Sequence, residues 1–138
     1  MSDELMPAQS AAGIVRRAAE RIETYGWTQG AHARTTGNVV CRILDPDAAY
    51  WSIYGAVYKE MYLAGLADGD VSVQQSMIGR AIWQVLTRQA VSERTAYTGV
   101  HPVIEFNDAP GRSQAEVTGF LRDCAALLEQ AAPSGGAS

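Results

Sequence analysis

Apolar residues return along this chain at helical spacing, and the places where that spacing breaks divide the sequence into elements. From Ser10 to Tyr25, Ile14, Ala18, Ile22 and Tyr25 recur every three or four residues with Val15 and Ala19 alongside, while Arg16, Arg17, Glu20 and Glu23 fall opposite. This is the stripe of an amphipathic helix, with Ser10 suited to cap it and Gly26 to end it. Beyond Gly26 the period changes. Thr35-Thr36-Gly37-Asn38 leads into the β-prone run Val39 to Leu44, which predicts a short hairpin within residues 31–44. An isolated hairpin is marginal in water, so it must rest on the helices.

Asp45-Pro46-Asp47 reads as a cap, a proline at the first helical position and an acidic first turn, opening a second helix over 46–67. At 100° per residue Tyr50, Tyr54, Tyr58 and Tyr62 form one row of that helix. Ile53, Val57 and Met61 form the adjoining row, and Ser52, Lys59 and Glu60 are left on the other side. An apolar arc this wide predicts a central helix around which the others pack. Asp68-Gly69-Asp70 makes the next turn, and Asp70 or Ser72 caps a third helix over 73–90. Its core face is Val73, Met77, Ala81, Ile82 and Val85, with Leu86 and then Trp83 at the margin.

Residues 91–103 show no period and read as loop, with at most one helical turn at Ile104-Glu105-Phe106. The last helix starts at Ser113 with Glu116 three residues on, a capping box, and carries Val117, Phe120, Leu121, Cys124, Leu127 and Leu128 on one face, ending by Pro133. The expected fold is mainly α: one domain over 10–131, four helices and a hairpin between the first two. Residues 1–9 and 132–138 have the composition of flexible ends.

Composition narrows the function. The chain of 138 residues carries 22 alanines, ten arginines and a single lysine, and its net charge is −4. An acidic balance argues against a dedicated nucleic-acid binder, although Arg16, Arg17 and Arg21 on the first helix make a local basic patch. Cys41 and Cys124 lack the spacing of a zinc or redox motif and read as small buried hydrophobes. No run approaches the ~20 apolar residues of a membrane span, and the acidic start Met1-Ser2-Asp3-Glu4-Leu5 is unlike a signal peptide, so the expectation is a cytoplasmic protein.

Candidate chemistry is sparse. His32 and His101 are the only histidines and have no ligand partner at helical spacing, so neither a metal nor a cofactor is expected. Asp68 and Asp70 open like a calcium loop, but Val73 and Gly79 stand where it needs glycine and glutamate. No phosphate-binding glycine loop is present. The turn Pro110-Gly111-Arg112-Ser113 offers N–H groups at a helix start, which Ser113 and Glu116 can satisfy themselves. Ser52 has no base fixed beside it by spacing, which leaves nucleophilic catalysis without a constellation. The tyrosine row has two readings: a core stripe whose hydroxyls point outward, or an aromatic recognition surface formed by Tyr54, Tyr58 and Tyr62 with Trp83.

Two motifs carry a resemblance. Gly26-Trp27-Thr28-Gln29-Gly30 with Ala31, Ala33 and Arg34, and Phe106-Asn107-Asp108-Ala109-Pro110-Gly111-Arg112-Ser113 running into Glu116-Val117, look like a family of unknown function among small proteins of actinobacteria and their phages. Gly55-Ala56 matches its pattern as well, whereas Trp51-Ser52 stands where the family often has Trp-Cys. The resemblance implies no activity. The motif residues either serve structure or bring Trp27, Gln29, Asn107, Asp108 and Arg112 to one polar pocket. Two functional expectations follow. One is a non-enzymatic interaction module, of the kind a phage or mobile element uses on a host protein; the other is a small-ligand or hydrolytic site at the two motifs.

Overall fold

The computed structural model describes residues 7–66, 73–93 and 101–131. The expected turn at Asp68-Gly69-Asp70, the cap at Ser72, the stretch Thr98-Gly99-Val100 and the two outermost ends, 1–6 and 132–138, lie outside the described residues.

Mainly α holds, with five helices among the described residues rather than four and a three-stranded sheet rather than a lone hairpin. The order is α1 (Pro7–Tyr25), β1 (Ala33–Arg34), β2 (Val40–Cys41), β3 (Tyr50–Trp51), α2 (Ile53–Leu63), α3 (Val73–Ser92), α4 (Pro102–Asp108) and α5 (Gln114–Ala131). α1 begins three residues before the expected Ser10. Proline is suited to a helix start because its missing N–H has no partner there.

The expected hairpin is β1 with β2, paired antiparallel as Ala33 with Cys41 and Arg34 with Val40. A third strand joins the other edge of β1, Ala33 opposite Trp51 and Arg34 opposite Tyr50, giving the order β2-β1-β3. This third strand replaces the predicted start of the second helix. Asp45 and Asp47 do not cap a helix; the Asp45 carboxylate and carbonyl instead accept from the amides of Asp47 at 2.8 Å and Ala48 at 3.0 Å, making a turn. Ala49 N–H then donates to Arg34 O at 2.8 Å. With β1 supplying partners, Tyr50 and Trp51 take the extended form that aromatic residues favour. α2 starts only after Ser52, so Tyr50 leaves the tyrosine row.

α1 is the element the rest surround: it packs along α5 and also meets α2, α3 and β3. Ala11, Val15, Ala18 and Ile22 are fully buried on it. The central role expected of α2 therefore belongs to α1, whose many alanines permit close approach on several sides. Among the described side chains of α3 the buried hydrophobic ones are Ile78, Ile82, Leu86 and Ala90, one position round from the predicted face, and Met77 is 51 % exposed; the side chain of Val73 lies outside the described residues. Gly79 lets α3 approach α2, since a β-carbon there would sit 3.1 Å from Met61 Cε.

α4 is a seven-residue helix in the region expected to be loop with one turn. His101 Nδ1 accepts from Val103 N–H at 3.2 Å, and Pro102 supplies its first position. α5 follows expectation: Ser113 N–H donates to Glu116 Oε1 at 2.8 Å and Glu116 N–H donates to Ser113 Oγ at 3.1 Å. Val117, Phe120, Leu121, Cys124 and Leu128 are buried on it, while Leu127 is partly exposed. The carboxyl of Glu116 is held below its ordinary value, chiefly by the Ser113 backbone N–H and further by the Ser113 hydroxyl and Arg112.

Candidate functional site

The two sequence motifs meet in space, and Asn107 is the residue through which they meet. It is 1 % exposed, and all four hydrogen-bonding positions of its carboxamide are occupied. Oδ1 accepts from the Trp27 indole Nε1 at 2.8 Å and from the Ile53 amide at 3.0 Å; Nδ2 donates to Thr28 O at 3.1 Å and to Asp108 Oδ1 at 2.8 Å. Ile53 is the first residue of α2, so a side chain from α4 satisfies an N–H that the helix leaves unpaired. Ser52 caps the same helix by accepting from Gly55 N–H at 3.0 Å.

The other motif residues fasten the same junction. Gln29 Nε2 donates to the carbonyls of Asn107 at 3.0 Å and Ala109 at 3.1 Å, and Gly30 N–H donates to Asp108 Oδ1 at 3.0 Å. Arg112 Nε donates to Phe106 O at 2.9 Å, and its guanidinium lies 3.8 Å from the centroid of the Phe106 ring. Phe106 in turn stacks on Phe120 at 4.3 Å, tying α4 to α5. Gly55 explains the Gly-Ala pair in α2: a β-carbon on it would lie within van der Waals overlap of the His32 carbonyl oxygen. Ser52 N–H donates to that same oxygen at 3.1 Å. Trp27, Gln29, Asn107, Asp108 and Arg112 are thus brought together, with most of their polar atoms bonded to one another and to nearby backbone.

Beside this junction lies a cleft of about 660 Å³. The segment Val40–Leu44 forms one wall, Ile104 and Tyr58 contribute apolar surface, and Gly30, Ala31 and His32 line another side. Ser52, Asn107 and Asp108 supply polar groups. Its volume lies within the range of small-molecule clefts, and its lining is mostly apolar. Sequence reading missed Ile43, Ile104 and the β2 wall, because nothing in their spacing announces a concave surface.

Two possible nucleophiles face this cleft. Ser52 Oγ, besides capping α2, donates to His32 O at 3.3 Å, which is backbone and not imidazole. The Cys41 thiol pKa is pushed up by burial and by the nearby carboxylates of Asp45 and Asp47, which disfavours the thiolate.

The tyrosine row separates into different environments. Tyr54 is half-buried between His32, stacked at 4.6 Å, and Trp83 at 4.9 Å, with His101 edge-on to both Tyr54 and Trp83. Tyr58 lines the cleft, and Tyr62 is 37 % exposed near the end of α2. The three arginines of α1 each meet a carboxylate: Arg16 with Glu129 at 2.8 Å, and Arg17 and Arg21 with Glu60 at 3.6 and 2.7 Å. Glu60, expected on the outer side of α2, is buried by these contacts. Among the described residues, no group of three His, Cys, Asp or Glu side chains is placed to hold a metal ion, and no helix is long and apolar enough to cross a membrane.

Residues 6–127 match the model of a family described as a family of unknown function, DUF6197. No curated protein and no solved structure matches the chain.

Proposed function

The chain belongs to that family of unknown function, and we propose that it is a non-enzymatic binding domain that takes a small amphipathic molecule into the cleft beside Asn107. The observation that carries this reading is the placement of the cleft. It opens against the junction of the two motifs, so the residues that lock α4 to α2 also hold the cleft wall in shape. The apolar body of a ligand would rest on Val40, Ile43 and Ile104, and its polar end would meet Asp108. Binding is favoured over hydrolysis because the Ser52 hydroxyl is engaged with the His32 backbone carbonyl and with the Gly55 amide, and not with an imidazole.

The test is a thermal-shift screen of amphipathic fragments against the chain and against Ile104→Trp, which fills the cleft from a half-buried position. Ligands of the cleft raise the melting temperature of the first and not of the second. Hits that stabilise both proteins equally would show that binding lies elsewhere.

A second reading, an interaction module that docks a host protein, is supported by Tyr62 and Leu63, which are 37 % and 58 % exposed on neighbouring positions of α2. It predicts that Tyr62→Ala together with Leu63→Ala removes proteins captured by the unaltered chain while the fold persists. A phage or mobile-element role belongs to this reading.

A further inference from the structure

On another part of the surface, Arg21, Tyr25, Lys59 and Trp51 line a smaller cavity of about 260 Å³, together with Asp45, Pro46 and Ala48. Three features set it apart. The first is charge. Arg21 is paired with Glu60, which Arg17 also approaches, and Lys59, the other cation lining the cavity, has no carboxylate partner among the described residues. Asp45 lines the cavity as well, and its Oδ1 is already engaged by the Asp47 amide.

The second is the posture of Arg21. Its Nε donates to Glu60 Oε2 at 2.7 Å, which fixes the plane of the guanidinium, and the group lies 5.1 Å from the Trp51 ring centroid and 5.6 Å from that of Tyr25. Aromatic rings beside this cation hold it in place without consuming its N–H groups. The third is Trp51 itself. It is 2 % exposed, and its indole Nε1 is a buried donor without a hydrogen-bond partner among the described residues. Native proteins rarely leave such a donor unpaired, and a bound ion is one recognised reason.

We propose that this cavity binds a small oxyanion, a carboxylate or a phosphate group, with the Arg21 guanidinium as the fixed planar donor and Lys59 as the mobile counter-charge. The pairing suits an anion with two oxygens for the guanidinium, and the flexible lysine stem closes on whichever anion is present. The site is separate from the cleft beside Asn107, and neither depends on the other being filled.

The test follows the Trp51 indole N–H resonance by NMR while sodium phosphate, sodium acetate or sodium chloride is added to the full chain at constant ionic strength. A saturable shift with phosphate or acetate and none with chloride is expected, the effective anion naming the headgroup. In Lys59→Gln the apparent affinity should fall at least tenfold, with the remaining amide spectrum unchanged. Equal responses to all three salts, no saturable response to any, or unaltered affinity in Lys59→Gln would each overturn the proposal. Because Arg21 also neutralises Glu60, Lys59→Gln is the informative variant.

Discussion

The indole N–H of Trp27 donates to Asn107 Oδ1 at 2.8 Å, across 80 positions of sequence, and this bond joins the start of the sheet region to the end of α4. Asn107 accepts from the α2 amide of Ile53 at the same oxygen. One buried carboxamide therefore ties the segment that follows α1, the start of α2 and the end of α4 together and, with them, the wall of the cleft. Asn107→Ala would strand the Trp27 indole, the Ile53 amide and the Thr28 carbonyl. With about 1–3 kcal/mol for each buried group left unpaired, a loss of at least about 3 kcal/mol is expected in urea unfolding. Asn107→Asp keeps the acceptor for Trp27 and Ile53 but sets an oxygen against the Thr28 carbonyl and the Asp108 carboxylate, so it should also destabilise the fold.

Two glycines separate close approach from mere permissiveness. Gly55→Ala drives a β-carbon into the His32 carbonyl, which backbone on both sides prevents from moving, so destabilisation of about 3 kcal/mol is expected. Gly119 lies within α5 with open space where its β-carbon would be. Gly119→Ala should therefore stabilise by about 0.5–1 kcal/mol through helix propensity. Paired thermal melts check both, and equal effects at the two sites would contradict the placement of α2 against residues 30–32.

Glu60 is the shared anion for Arg17 and Arg21 and is itself 7 % exposed. Removing one member of a buried pair typically costs about 3–5 kcal/mol, and the partial exposure of Arg21 places Glu60→Ala toward the lower end. A double change, Glu60→Leu with Arg21→Met, should recover much of the loss in chemical unfolding, because no unpaired charge is then buried.

Protonation gives two readouts. The Glu116 carboxyl titrates below its ordinary value in the folded chain, so its contribution is complete above the unfolded carboxylate range and is lost as the pH falls through the folded value. Acid unfolding of Glu116→Gln, which removes the titrating group, should accordingly show a shallower pH dependence than that of the unaltered chain. The Cys124 thiol, pushed up to about 12 by burial with a smaller effect from Asp123, should resist alkylation at pH 8 until the protein unfolds. Half-buried Cys41 should react first, and slowly.

The helices on either end of the chain were legible because their signals are local: the stripe of Ile14, Ala18 and Ile22, and the Ser113 to Glu116 capping box. The start of α2 was not, because Asp45-Pro46-Asp47 imitates a helix cap and only the distant strand β1 draws Tyr50 and Trp51 into extended pairing. The burial of Glu60 was hidden for the same reason, since the cations that permit it are on another helix. Asn107, Asp108 and the Trp27 motif could be singled out together, but their mutual hydrogen bonds depend on chain folding across some 80 residues. The cleft was invisible: concavity arises from how β2, α2 and α4 are set, and no spacing encodes it.

The isoleucines provide the most direct test of a binding cleft, because Ile43 and Ile104 line it while Ile14, Ile22 and Ile82 are buried in the core. Methyl NMR of the isoleucine-labelled chain during titration with a stabilising fragment should move the Ile43 and Ile104 signals saturably and leave those of Ile14, Ile22 and Ile82 in place. Fragments that bind while leaving Ile43 and Ile104 unmoved would contradict the account.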